Sequence, residues 1–187
     1  MNHTTIDTIT DALASDLDRA FPDLVVLLQD DLFSGVLRMT GRRADAEDIT
    51  QETLIRAYRA LSGYPEARIR SLAVRPWMWT IALNLCRNRS RSRSRKPETP
   101  LPEWYEPASP APGPEQMAVA ADAGERLGTR VAALPWAQRR AVVLRHVIGL
   151  GYQEIAEALE RPVGTVKADV HRALASLRRE LPTEETS

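Results

Sequence analysis

Apolar residues recur at three- and four-residue intervals along most of this chain, and nothing reads as a ladder of strands. Ile6, Ile9, Leu13 and Leu17 predict a short amphipathic helix within Thr5–Arg19, with acids between them, loosely attached or held by a partner. Phe21 to Met39 is richer in apolar positions (Leu24, Leu28, Leu32, Val36) and predicts a core helix stopped at Gly41. Asp45 then reads as the N-cap of a third helix, with Glu47 and Asp48 in its first turn, where the helix dipole favours negative charge. That helix runs through Ile49, Thr53, Ala57 and Leu61 and ends before Gly63.

The period breaks between Gly63 and Arg75, which predicts a loop. Pro76 opens the next helix, where a missing N–H costs nothing. Trp77 and Trp79 lie two residues apart on it and cannot share one narrow face, so one belongs mostly to the core and the other nearer the surface. Between Ser90 and Gly113, arginine–serine alternation gives way to repeated proline, the composition of an extended tether. Glu115–Ala133 predicts a helix, and Pro135 starts another that stops at Gly149. Last comes a helical pair. Tyr152, Ile155, Ala156 and Leu159 share a face before the turn Glu160-Arg161-Pro162. Val163, Val166, Val170, Leu174, Leu177 and Leu181 share one after it. The expectation is all-α: two small helical domains, 21–95 and 115–181, with an acidic extension 1–20, a linker 96–114 and a tail 182–187.

Formal net charge is zero, which argues against a wholly basic nucleic-acid coat protein. The balance conceals an asymmetry. Asp7, Asp11, Asp16, Asp18, Asp23, Asp30 and Asp31 crowd the start, while Arg87, Arg89, Arg91, Arg93, Arg95 and Lys96 crowd the middle. Such blocks suit a polyanion partner for the basic part and self-masking or a protein partner for the acidic part. Cys86 is alone, no carboxylate cluster has metal spacing, and His3, His146 and His171 are scattered. No catalytic site, metal site or cofactor loop is expected, which disfavours a DNA-processing enzyme. No apolar run reaches membrane-spanning length, and the first residues lack a basic-then-apolar signal, so the expected location is cytoplasmic.

Three faces carry candidate chemistry. On the third helix Asp48, Gln51, Glu52, Ile55, Arg56 and Arg59 point outward; an exposed isoleucine among charges fits a protein-docking face and equally a solvated one. Tyr64, Arg68, Arg70 and Arg75 in the loop, with Trp77, Trp79, Asn84, Arg87, Asn88 and Arg91 after it, set rings beside guanidinium groups. Unstacked bases need that combination, at about 1–3 kcal/mol per stacked base. On the last helix Thr165, Lys167, Ala168, Asp169, His171 and Arg172 form a short polar face that suits a DNA major groove, or simply the surface of a helical bundle.

Asp45-Ala46-Glu47-Asp48-Ile49-Thr50-Gln51-Glu52-Thr53, Arg75-Pro76-Trp77-Met78-Trp79-Thr80-Ile81-Ala82-Leu83-Asn84, and Leu134-Pro135 through Gly164-Thr165-Val166-Lys167 resemble bacterial sigma-70 family factors, most closely the two-domain extracytoplasmic function (ECF) group. The resemblance implies a factor that binds core RNA polymerase and directs promoter recognition, melting and initiation. It implies that the third-helix face docks on the clamp helices of the β′ subunit and that the flap of the β subunit is a further contact. The loop and the Trp77–Arg91 helix would capture the minus-ten strand, and the last helix would read minus-thirty-five duplex. It also implies an anti-sigma partner. The sequence departs from the family pattern at Leu83, at Asn88 and at Asp169, the last a position where arginine is common; a carboxylate there is repelled by phosphates but can accept from cytosine N4, which predicts an altered minus-thirty-five preference or weaker use of that element. A conventional helix-turn-helix regulator of the LuxR type would leave the Asp45–Glu52 helix and the tryptophan-rich segment unexplained.

Overall fold

The computed structural model describes residues 3–95 and 127–179, with side chains from residue 8 to 92 and from 127 to 179; all of its regular structure is helical. The expected helix at Glu115–Ala133 and the linker lie outside the described residues up to residue 126. In chain order the helices are α1 (His3–Ser15), α2 (Leu17–Thr40), α3 (Arg43–Ser62), α4 (Glu66–Arg70), α5 (Val74–Arg95), α6 (127–133), α7 (Trp136–His146), α8 (Tyr152–Leu159) and α9 (Val163–Arg179).

The first helix is not loosely attached. Leu13 is 1% exposed, and α1 packs on α2 and α4. Its apolar stripe is continuous with that of α2, so the segment contributes to the core while Asp11 stays outside. The two helices break at Asp16, whose carboxylate accepts the Arg19 N–H at 3.1 Å and caps α2. At the far end Gly41 takes φ +70° and donates to Leu37 O at 2.7 Å, the stop expected of it.

Two local expectations need correction. The cap of α3 is Arg42 in extended backbone, not Asp45. Asp45 lies inside the first turn, 6% exposed, where Arg89 of α5 approaches its carboxylate at 3.5 Å. A partner 44 positions away along the chain, which local sequence does not display, claims the carboxylate. The Gly63–Arg75 loop also contains a helical turn, α4, because Ile69 is drawn into the core at 4% exposure.

Of the two tryptophans, Trp79 is 1% exposed and Trp77 only partly buried, as their spacing requires. Trp79 lies against α2 at Gly35. A Cβ built there would stand 2.4 Å from Trp79 Cη2 and 2.9 Å from Ile148 Cδ1. The glycine is therefore a notch that admits an indole from the first unit and an isoleucine from the second. Around it α7 packs on α2 and α8 on α5. The second unit builds its own core from Leu144, Leu150, Ile155, Val166 and Ala173. Its turn is made by Glu160, which adopts a left-handed conformation (φ +50°), and Pro162, just ahead of α9.

Gly35→Ala forces the indole and Ile148 to move. Helix propensity returns roughly 0.5–1 kcal/mol, and overpacking costs about 1–3 kcal/mol, so a net loss of stability is expected. A thermal melt reads it as a lower Tm; an unchanged or higher Tm would show that the notch is not tight. Burial also pushes the Cys86 thiol up to about 12. The neutral thiol is thus favoured in the folded state, and stability falls as pH rises from about 9 toward 12. A thiol reagent at pH 8 is expected to label Cys86 only after denaturant is added; rapid labelling of native protein would contradict this burial.

Candidate nucleic-acid interface

The outer face of α3 emerges as the periodicity requires. Asp48, Gln51, Arg56 and Arg59 are exposed, Ile55 is 38% exposed and Glu52 is half-buried. Glu52 accepts from Arg56 at 2.7 Å and Asp48 from Arg89 at 3.2 Å. Pairs this exposed contribute little, about 0–1 kcal/mol, so they leave the charges free to re-pair with a partner. Arg89 was not among the expected site residues. It bridges Asp45 and Asp48 and so links the outer face of α3 to the end of α5.

The loop supplies a ladder of flat groups. The Arg68 guanidinium lies 3.7 Å from the centroid of Tyr64, and the Tyr64 and Trp77 rings are 6.2 Å apart, tilted by 54°. A cation over a π-face is worth about 0.5–1 kcal/mol at an exposed site, enough to bias Tyr64 toward one orientation without locking it. Arg70 is exposed and shared between Glu66 at 3.1 Å and Asp11 at 3.9 Å. Asn84, Arg87, Asn88 and Arg91 are all exposed along α5, with Arg87 donating to Asn84 Oδ1 at 3.1 Å.

Arg75 and Trp79 do not join this surface. Arg75 is 8% exposed; one of its nitrogens donates to Ile148 O at 2.6 Å and to Asp31 Oδ2 at 3.2 Å. Trp79 fills the notch beside it. Both are covered for one reason: α5 is packed on that side against the second unit, and a stripe that looks free in one helix is a seam in the molecule. Thr80 Oγ1 stands 3.3 Å from Ala158 O across the same seam, and Arg139 of α7 donates to Met39 O of α2 at 2.9 Å.

In the second unit Lys167, His171 and Arg172 are exposed on α9, and Thr165 and Ala168 are half-buried. Asp169 is only 4% exposed, so the expected contact of its carboxylate with a base is wrong. Its oxygens are engaged by Arg172 at 2.6 Å and Arg161 at 3.5 Å. Sequence reasoning also missed Tyr152, whose ring lies under two cations, Arg145 at 4.9 Å and Lys167 at 5.7 Å. Those three residues come from α8 and from two of the helices packed on it, α7 and α9, so no spacing in the chain announces them. Among the described residues no cluster of three metal-binding side chains occurs, and no helix is long and apolar enough to cross a membrane.

Arg75→Met keeps the apolar stem but leaves Ile148 O and Asp31 without their donor. A loss of about 1–3 kcal/mol is expected, read as a lower urea midpoint together with a larger radius of gyration in small-angle scattering. An unchanged radius and midpoint would mean that this donor does not hold the seam.

The sigma-70 region 2 family model matches residues 24–96, and the sigma-70 region 4 model matches residues 124–177. The ECF RNA polymerase sigma factor SigE of Mycolicibacterium smegmatis is 35% identical over 85% of this chain, which spans 60% of that relative's length. SigW of Bacillus subtilis, also an ECF RNA polymerase sigma factor, is 32% identical over 87% of this chain and 89% of its own. Among solved structures, the sigma factor RpoE of Bartonella quintana in complex with the anti-sigma factor NepR superposes with a TM-score of 0.67 at 20% identity. That match covers 88% of this chain and 98% of the other and concerns the fold alone. With both conserved regions in order and a relative matched over nearly its full length, the chain belongs to the ECF group of the sigma-70 family.

Proposed function

We propose that the chain binds bacterial core RNA polymerase through the α3 face, captures a melted promoter strand with Tyr64, Arg68, Trp77 and the exposed polar residues of α5, and lays α9 on upstream duplex. The observation that carries this reading is the presence in one chain of both conserved regions, with the cation–aromatic ladder in the first and the exposed Lys167–Arg172 face in the second. Melting needs no nucleotide hydrolysis by this protein, because ring stacking and phosphate contacts replace the stacking lost by the opened strand.

The arrangement described here is a closed one. Elements centred near minus ten and minus thirty-five stand about 25 base pairs apart, roughly 85 Å at 3.4 Å per base pair. Two packed helical units, each with a radius of gyration of about 10–11 Å, do not reach across that distance. On this reading the seam at Arg75 and Trp79 opens on the promoter, and an anti-sigma protein gains by binding the closed form.

Transcription from a pool of promoter fragments by core polymerase, with and without this protein, tests the reading. Transcripts that depend on the protein and share two upstream elements are expected. Specific duplex binding by the protein alone, with no dependent transcript, would sink the proposal in favour of a conventional regulator. Within the same assay Tyr64→Ala is expected to lower open-complex formation by about one stacking contact, roughly 1–3 kcal/mol or 5- to 150-fold, while leaving the affinity for core polymerase unchanged.

A further inference from the structure

The inward side of α9 carries Val166, Val170 and Ala173, and with them one carboxylate, Asp169. A carboxylate that far from water is costly unless it is paired and hydrogen-bonded. Asp169 is paired twice, and its two partners come from opposite sides of the helix-turn-helix. Arg161 belongs to the turn before α9 and reaches Oδ2 at 3.5 Å; Arg172 belongs to the outer face one turn on and reaches Oδ1 at 2.6 Å. Both guanidinium groups remain open to solvent, at 38% and 55% exposure. A third cation stands behind them. Arg140 of α7 holds its proton less firmly than usual, first because it is buried and then because Arg161 and Arg87 repel it, while Asp169 acts in the opposite sense. Asp169 is thus the counter-charge on which a group of arginines is assembled.

Resting on the reading of α9 as the helix that contacts duplex, we propose that Asp169 is a positioning residue for promoter recognition, its buried carboxylate presetting Arg172 and Arg161 on the DNA-facing side. An arginine held by one nitrogen keeps its other N–H donors for the DNA. The carboxylate removes part of the freedom that a long side chain otherwise loses on binding, so the gain appears in specific complexes, where geometry matters. Non-specific complexes depend on charge alone and gain nothing from it.

Positioning and plain electrostatics therefore predict opposite signs for one substitution. Asp169→Asn removes a negative charge beside DNA; if charge were all, affinity would rise for every duplex. Positioning requires the ratio of specific to random-duplex affinity to fall. The measurement uses the full chain in complex with core polymerase, and titrates the duplex that this complex selects from a random library against a scrambled duplex of equal length. We expect Asp169→Asn to lower the ratio about 5- to 20-fold, with random-duplex binding unchanged or tighter, and to have a smaller effect, running through Arg161 alone, once Arg172 is alanine.

Equal strengthening of both duplexes would overturn the proposal. So would the same loss in the presence and absence of the Arg172 side chain, because the effect would then not run through that residue. Arg172→Lys provides a variant that leaves Asp169 paired with Arg161 and keeps the charge while losing the planar fork; it is expected to lose specificity to a similar degree, and unchanged specificity would also overturn the proposal. If Arg172→Ala and Lys167→Ala both leave selected-duplex binding intact while protein-dependent transcription persists, α9 is not the reading helix. Positioning then falls with that reading, whereas polymerase binding stands.

Discussion

A guanidinium group leaves water only where its N–H donors meet acceptors, and this constraint organises the meeting of the two helical units. Arg75 of α5 is almost wholly buried because Ile148 O and Asp31 receive it. Arg139 of α7 is half-buried because Met39 O, Leu134 O and Ala132 O do. Each therefore acts as a cross-tie between a unit's own helix and a carbonyl of the other. Apolar surface supplies the area between them: Trp79 and Ile148 meet at Gly35, where only a residue without a side chain leaves room. Hydrophobic contact drives the closure without direction, and the arginines decide its register.

The tie is also incomplete, since the Nε atoms of Arg75 and Arg139 find no acceptor among the described residues. A seam with imperfectly paired cations is less stable than an apolar one of the same area. Within each unit packing is tighter and more apolar: Leu13, Leu24, Leu32 and Leu61 in the first, Leu144, Leu150 and Ile155 in the second. Separation of the units is thus expected to cost less than unfolding either.

Charge is treated differently in three places. On the outer face of α3 the pairs Glu52–Arg56 and Arg43–Glu47 are solvated and exchangeable. At the end of α5, Arg89 answers a buried Asp45 and an exposed Asp48 at once, which fixes one end of that face. At α9, Asp169 is taken out of water and paired with cations that stay in it. Exposure of the partner, rather than the mere presence of a pair, separates these cases.

Most helix positions were legible in the sequence because they depend on local rules: three- and four-residue apolar spacing, Gly41 as a left-handed stop, Pro162 just ahead of α9; α5 starts at Val74, two residues before the Pro76 expected to open it. The separate fates of Trp77 and Trp79 followed from the same geometry. So did the exposed faces of α3 and α9, apart from Asp169. What the period did not show is which polar or aromatic side chains on an outward stripe are covered. Arg75, Trp79 and Asp169 all lie where a second element covers the helix, and α1, with Leu13 in the core, is covered for the same reason. A helical period tells which residues share a side. It does not tell how many sides are occupied, because that depends on contacts between residues such as Arg75 and Ile148, 73 positions apart. Local chemistry thus determined most of the helices and the family motifs they carry; the packing of one helix on another decided the rest, α4 and the start of α3 included, and which of their charges are exposed.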